Sequence, residues 1–215
     1  LGAAPGAPAP GSPNLNAPAP STPAASAASS DPPEVLFIGR LEERKGVRLL
    51  LRAARRVLAS GVDARFRFIG GDTPTGPYEG SMLAHLRDQL ATPPFAPFAD
   101  RFIFDTGRTE RRHLGPAIRR AACCVFPSVW ENFPYACLEA MALGACVVGS
   151  DAGGMAEMIE PPERNAATPS GLLFRSGDEA SLADALTRAL TDPALRARCA
   201  AHAPARVRAI CDPLK

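Results

Sequence analysis

Two cations and two carboxylates in this sequence stand where they could handle a ligand that is both anionic and rich in hydroxyls. Arg40 and Lys45 lie in Gly39-Arg40-Leu41-Glu42-Glu43-Arg44-Lys45-Gly46, and Glu131 and Glu139 in the stretch from Pro127 to Gly144. A guanidinium and an ammonium where a strand ends and a helix starts suit two phosphates, to which the helix adds its own unpaired N–H groups. Carboxylates accept hydrogen bonds from hydroxyls. Eight residues of helical rise amount to about 12 Å, the scale of a nucleotide diphosphate with an attached sugar. One carboxylate could then serve a ribose and the other a transferred sugar. Lys45 and Lys215 are the only lysines among 24 basic residues, so a lysine at position 45 falls where a compact ammonium is wanted. Plainer accounts exist for each group taken singly. Arg40 and Lys45 can be solvated charges, Glu139 part of a polar helix face, and Glu131 a first-turn acid favoured by the helix dipole.

The elements that must position these groups can be read on either side of them. Pro134 has its φ pre-set for a first helical turn and Gly144 suits a left-handed cap, which predicts a helix from about Pro134 to Leu143. The runs Ala122–Phe126 and Cys146–Val148 are apolar without interruption, as in strands buried on both faces. Glu131 then falls in a loop at the carboxyl end of a strand, the edge where open parallel sheets bind ligands, and a diphosphate would sit over Pro134 to Ala136. Further strands are predicted at Val35–Ile38, Phe66–Ile69, Arg101–Phe104 and Leu172–Phe174. Further helices are predicted after Val47, at Tyr78–Leu90, Thr109–Arg120, Gly153–Ile159, Ser181–Leu190 and Leu195–Val207. Such alternation implies an α/β fold with a parallel sheet covered on both faces.

Glu131 and Glu139 in this frame, followed by Ala140-Met141-Ala142-Leu143-Gly144, resemble the paired-glutamate motif of retaining glycosyltransferases of the GT-B fold, in the large group 1 family, also called family 4. Phe37-Ile38-Gly39-Arg40-Leu41 with Lys45-Gly46, Phe102-Ile103-Phe104 with Gly107, Pro127-Ser128, Gly153-Gly154-Met155 with Glu157, and Gly171-Leu172-Leu173-Phe174 fit the same family in the same order, from about Glu34 to Asp192. The resemblance implies the C-terminal, donor-binding half of a GT-B enzyme, a Rossmann-like three-layer domain. It implies Arg40 and Lys45 on the donor diphosphate, Glu139 on the ribose, Glu131 on the sugar hydroxyls near the reacting carbon, and Arg108, Thr109 and Leu114 beside the base. The substrate would be a nucleotide-diphosphate sugar, transferred with retention by a front-face route. No metal or other cofactor is expected, because the two cations stabilise the leaving diphosphate. An N-terminal Rossmann-like acceptor domain would lie outside this chain. Asn132 and Pro134 replace glycines common in the family and flank a retained Phe133. The loop can offer the N–H groups of Asn132, Phe133 and Tyr135, whereas Pro134 has none. A non-catalytic nucleotide-binding module and a GT-B-fold sugar-nucleotide epimerase remain alternatives from other classes.

Composition bounds the rest. Residues 1–33 are almost wholly Ala, Pro, Gly and Ser, too poor in apolar bulk to offset the entropy of ordering, and read as a disordered linker ahead of a domain at 34–215. A net charge of +2 gives no reason to expect nucleic acid or an anionic membrane as partner. No run of 18 apolar residues and no basic leader occurs, so the sequence reads as soluble and cytoplasmic. The six cysteines lack metal-ligand spacing, and four fall in predicted strands or a helix, where they act as small hydrophobes.

Overall fold

Six short apolar segments lie side by side, all parallel, in the order β3-β2-β1-β4-β5-β6. They are β1 (Glu34–Ile38), β2 (Arg65–Ile69), β3 (Phe102–Asp105), β4 (Cys123–Phe126), β5 (Val147–Ser150) and β6 (Leu172–Phe174). The structure is a computed structural model and describes residues 31–107 and 111–212. The chain divides into two units, Leu1–Asp31 and Pro32–Lys215. The expectation for the leading segment therefore lies, up to Ser30, outside the described residues. Sheet hydrogen bonding reaches back to Pro33, whose carbonyl accepts from the Arg65 amide at 2.9 Å.

Among the described residues five α-helices connect successive strands, α1 (Val47–Ala59), α2 (Met82–Leu90), α3 (Arg111–Arg120), α4 (Tyr135–Ala142) and α5 (Gly154–Met158), and two follow β6, α6 (Glu179–Thr191) and α7 (Pro193–Ile210). Successive strand residues face opposite sides. Val35, Phe37, Val125 and Val148 join α1, α2 and α6 in one core, while Leu36, Cys124, Phe126 and Val147 join α3, α4 and α5 in the other. All residues of β4 and β5 are buried, which is why their sequences read as unbroken apolar runs. Phe37, Phe68 and the partly buried Phe104 pack ring to ring across three strands at 5.6 and 4.9 Å, and the two buried rings, Phe37 and Phe68, contribute roughly 1.5–3 kcal/mol each. Cys123 and Cys137 are wholly buried, and burial pushes their thiols up to about 12. All six cysteines are free. Among the described residues no helix is long and apolar enough to cross a membrane.

Several boundaries differ from the sequence reading, those of α2, α4 and α7 among them. The helix expected from Tyr78 begins at Met82, because the Ser81 hydroxyl caps it by accepting from the Ala84 amide at 2.9 Å. The Asp72 carboxylate holds this start from upstream, accepting from the Leu83 amide and the Ser81 hydroxyl, and Tyr78 and Glu79 sit in a left-handed turn instead. Pro134 is the N-cap of α4 rather than its first residue, because its ψ of 85° is not helical. Helix α7 runs three residues beyond Val207 and through Pro204; the Asp192 carboxylate caps its start on the Leu195 amide at 2.8 Å.

Candidate active site

The strand order reverses between β1 and β4: from β1 the chain proceeds to β2 on one side and later reaches β4 on the other. The loops leaving these two strands diverge, and such a switch point opens a crevice at the carboxyl ends of the strands. The loop after β1 carries Arg40 to Lys45, ending in a short 3-10 turn over Glu43–Lys45. The loop after β4 carries Pro127 to Pro134 and runs into α4. They meet at Gly46, whose missing side chain lets the Pro127 carbonyl approach, and the Val129 amide donates to the Arg44 carbonyl at 2.9 Å.

The second loop is also clasped from the β5 side. The Gly154 amide donates to the Glu131 carbonyl at 2.8 Å, and β-carbons on Gly153 and Gly154 would stand 2.3 and 2.2 Å from the Glu131 and Asn132 carbonyl oxygens. The Ser150 hydroxyl donates to the Ser128 carbonyl at 2.7 Å. Contacts from the loop after β1, from the end of β5 and from the loop that follows β5 thus fix the loop that bears Glu131.

Between the loops lies a cavity of about 200 Å³ whose lining includes Lys45, Ser128, Glu131, Phe133, Pro134 and Tyr135. The Lys45 ammonium is paired with Glu131 Oε1. Arg44 Nη1 donates to the same oxygen at 3.1 Å. Burial acts to raise the Glu131 pKa, but the hydrogen bond and charge of Lys45, the charge of Arg44 and a hydrogen bond with Ser128 outweigh it, holding the carboxyl below its ordinary value. The first main-chain bond of α4 runs from the Cys137 amide to the Pro134 carbonyl at 2.9 Å, so the Tyr135 and Ala136 amides form the positive end of the helix beside this cavity.

The remaining expected residues are distributed around this centre. Arg40 lines an adjoining hollow of about 420 Å³ with Gly39, Gly70, Thr106 and Leu114, not the Lys45 cavity, and its side chain is 64% exposed. The two expected phosphate cations therefore occupy neighbouring spaces. Glu139 borders a third hollow, of about 350 Å³ between α3 and α4, which Leu114 also lines. The Asn132 side chain accepts from Trp130 Nε1 at 2.9 Å. Phe133 and Tyr135 meet edge to face at 5.3 Å, with the Tyr135 side 72% exposed. Arg108 and Thr109 lie outside the described residues.

Sequence reasoning missed Arg44 and Glu42. Arg44 was one arginine among many, and its signal was only its place beside Lys45. Glu42 is 7% exposed and bonds both Arg40 and Arg44, a burial that no local pattern announces.

A parallel sheet layered by helices, with a crevice at its switch point, defines a Rossmann-like α/β domain. Residues 32–192 match Glycosyl transferases group 1, and the chain belongs to that family. A D-inositol 3-phosphate glycosyltransferase of Acidothermus cellulolyticus is 34% identical over 167 residues, 76% of this chain and 34% of that protein. Alpha-D-kanosaminyltransferase of Streptomyces kanamyceticus is 30% identical over 175 residues, 80% of this chain and 40% of that protein. The crystal structure of the C-terminal domain of a group 1 family glycosyl transferase from Francisella tularensis has the same fold, with a TM-score of 0.69 at 24% identity, covering 83% of this chain and 87% of that domain. The chain spans 34% and 40% of the length of these two curated relatives. Its fold is the Rossmann-like α/β unit of GT-B glycosyltransferase structures.

Proposed function

We propose that this chain is the donor-binding half of a retaining glycosyltransferase, holding a nucleotide-diphosphate sugar without a divalent metal for transfer to an acceptor presented by a second, N-terminal Rossmann-like domain. The observation that carries this reading is the meeting of Lys45, Glu131 and the start of α4 in one cavity at the switch point. Lys45 supplies a compact charge and the Tyr135 and Ala136 amides supply donors to one phosphate, while Arg40 reaches the diphosphate from the adjoining hollow. As the bond from sugar carbon to phosphate oxygen breaks, negative charge grows on the diphosphate, and fixed cations favour that change more than they favour the ground state.

Glu131, held by two cations, accepts from sugar hydroxyls beside the reacting carbon. Glu139 accepts from the ribose, and Leu114 with Arg108 and Thr109 flanks the base. In retention the acceptor oxygen bonds the sugar carbon on the face the leaving oxygen quits, and the acceptor proton passes to the departing diphosphate oxygen. The relatives are more than twice as long as the segment they share with this chain, which supports a second domain in the whole protein. The test is calorimetric titration with a panel of nucleoside diphosphates in the presence of EDTA. Binding that Lys45→Ala abolishes supports the reading, and binding that appears only with magnesium or manganese refutes it.

A further inference from the structure

The charges around Glu131 form a chain rather than a pair. Glu42, nearly buried, accepts from Arg44 Nη2 at 2.9 Å and pairs with Arg40 Nη2 at 3.2 Å. Arg44 extends its other terminal nitrogen to Glu131 Oε1 at 3.1 Å and to the Trp130 carbonyl at 3.3 Å. The Lys45 ammonium rests on that same Glu131 oxygen. Glu131 therefore has two counter-ions, one of which is tied back to a buried carboxylate.

We infer that Arg44, set by Glu42, is a positioning residue that keeps Glu131 ionised and in place when Lys45 turns to the diphosphate. The inference rests on the phosphate-site reading above. An ammonium carries a single charge, and a carboxylate and a phosphate compete for it. The Glu131 side chain is only 12% exposed, so losing Lys45 with no other counter-ion would leave a poorly solvated carboxylate beside an incoming anion. Arg44 removes that obstacle. Its planar fork satisfies Glu131 with one nitrogen while Glu42 holds the other, so it cannot follow Lys45 to the ligand without breaking a bond to a buried group. Arg40, at the far end of the chain, is mostly exposed and keeps the freedom to meet the ligand.

Inorganic pyrophosphate tests this without knowledge of the nucleotide. Calorimetry compares the wild type, Arg44→Gln, Glu131→Gln and the double variant. Arg44→Gln is expected to weaken pyrophosphate by roughly threefold to tenfold, and the loss is expected to vanish in the Glu131→Gln background, where nothing competes for Lys45. Glu42→Gln should give the same loss, cancelled in the same way. An Arg44→Gln loss of equal size in both backgrounds would make Arg44 a direct phosphate ligand or a fold contact; that outcome, or no loss at all, overturns the positioning role and leaves the phosphate site standing. No pyrophosphate binding by the wild type, or binding that Lys45→Ala leaves unchanged, overturns the phosphate site and the positioning role together.

Discussion

Gly46 and Pro127 touch backbone to backbone: a β-carbon on Gly46 would stand 1.9 Å from the Pro127 carbonyl oxygen. The Gly46 φ of +71° is also left-handed, so the position excludes side chains on two grounds. Gly46→Ala is expected to cost about 1–3 kcal/mol in urea unfolding, with the midpoint moving and the slope unchanged. An alanine variant as stable as the wild type would mean that the two loops separate freely.

Lys45 should dominate phosphate affinity. Lys45→Ala is expected to remove most nucleoside diphosphate binding in calorimetry, while Lys215→Ala leaves it intact. Binding should weaken as salt rises, because the Lys45 side chain is 24% exposed and Arg40 more so. Affinity indifferent to salt between low and molar concentrations would argue against phosphate recognition by these groups.

The two glutamates border different hollows, so their losses should separate by ligand. Glu139→Gln is expected to weaken a nucleoside diphosphate by about 1–3 kcal/mol, whereas Glu131→Gln should impair the nucleotide sugar and spare the nucleotide alone. Equal losses for both ligands in both variants would contradict the assignment.

Acid stability carries a signature of the same network. The Glu131 carboxyl titrates below its ordinary value in the folded chain, so the unfolded chain takes up its proton first as pH falls. Its stabilising contribution is present above the ordinary carboxylate pKa and is lost as pH drops through the depressed folded value. Glu131→Gln should flatten that part of the stability profile, and a steeper acid limb in the variant would reverse the sign of the argument.

Much of the framework was legible because burial on both faces leaves unbroken apolar runs, as in Cys123–Phe126 and Val147–Val148. Lys45 and Glu131 were legible as individual groups, from composition and from the place of their loops. Their pairing was not, because 86 positions separate them and only the sheet order brings them together. Gly153 and Gly154 read as a turn, yet the carbonyls they admit belong to a loop more than twenty residues upstream. The start of α2 was misplaced for a related reason: a distant carboxylate, Asp72, holds the Ser81 cap in position.

The adjacency of β1 and β4 has a consequence for the order in which this protein comes to life. On a ribosome, Lys45 emerges before Glu131 and waits through three further strands before the partner that confronts it is made. A nascent chain that has produced only β1, β2 and β3 owns one wall of the crevice, with Arg40 and Lys45, but lacks Glu131 and the start of α4. The 86 positions between Lys45 and Glu131 make their meeting a long-range contact, and contacts of such sequence separation form late and slowly in folding. Under the proposed function, capture of a diphosphate would report that the seam has shut, and a ligand supplied during synthesis would favour the finished sheet over any arrested intermediate.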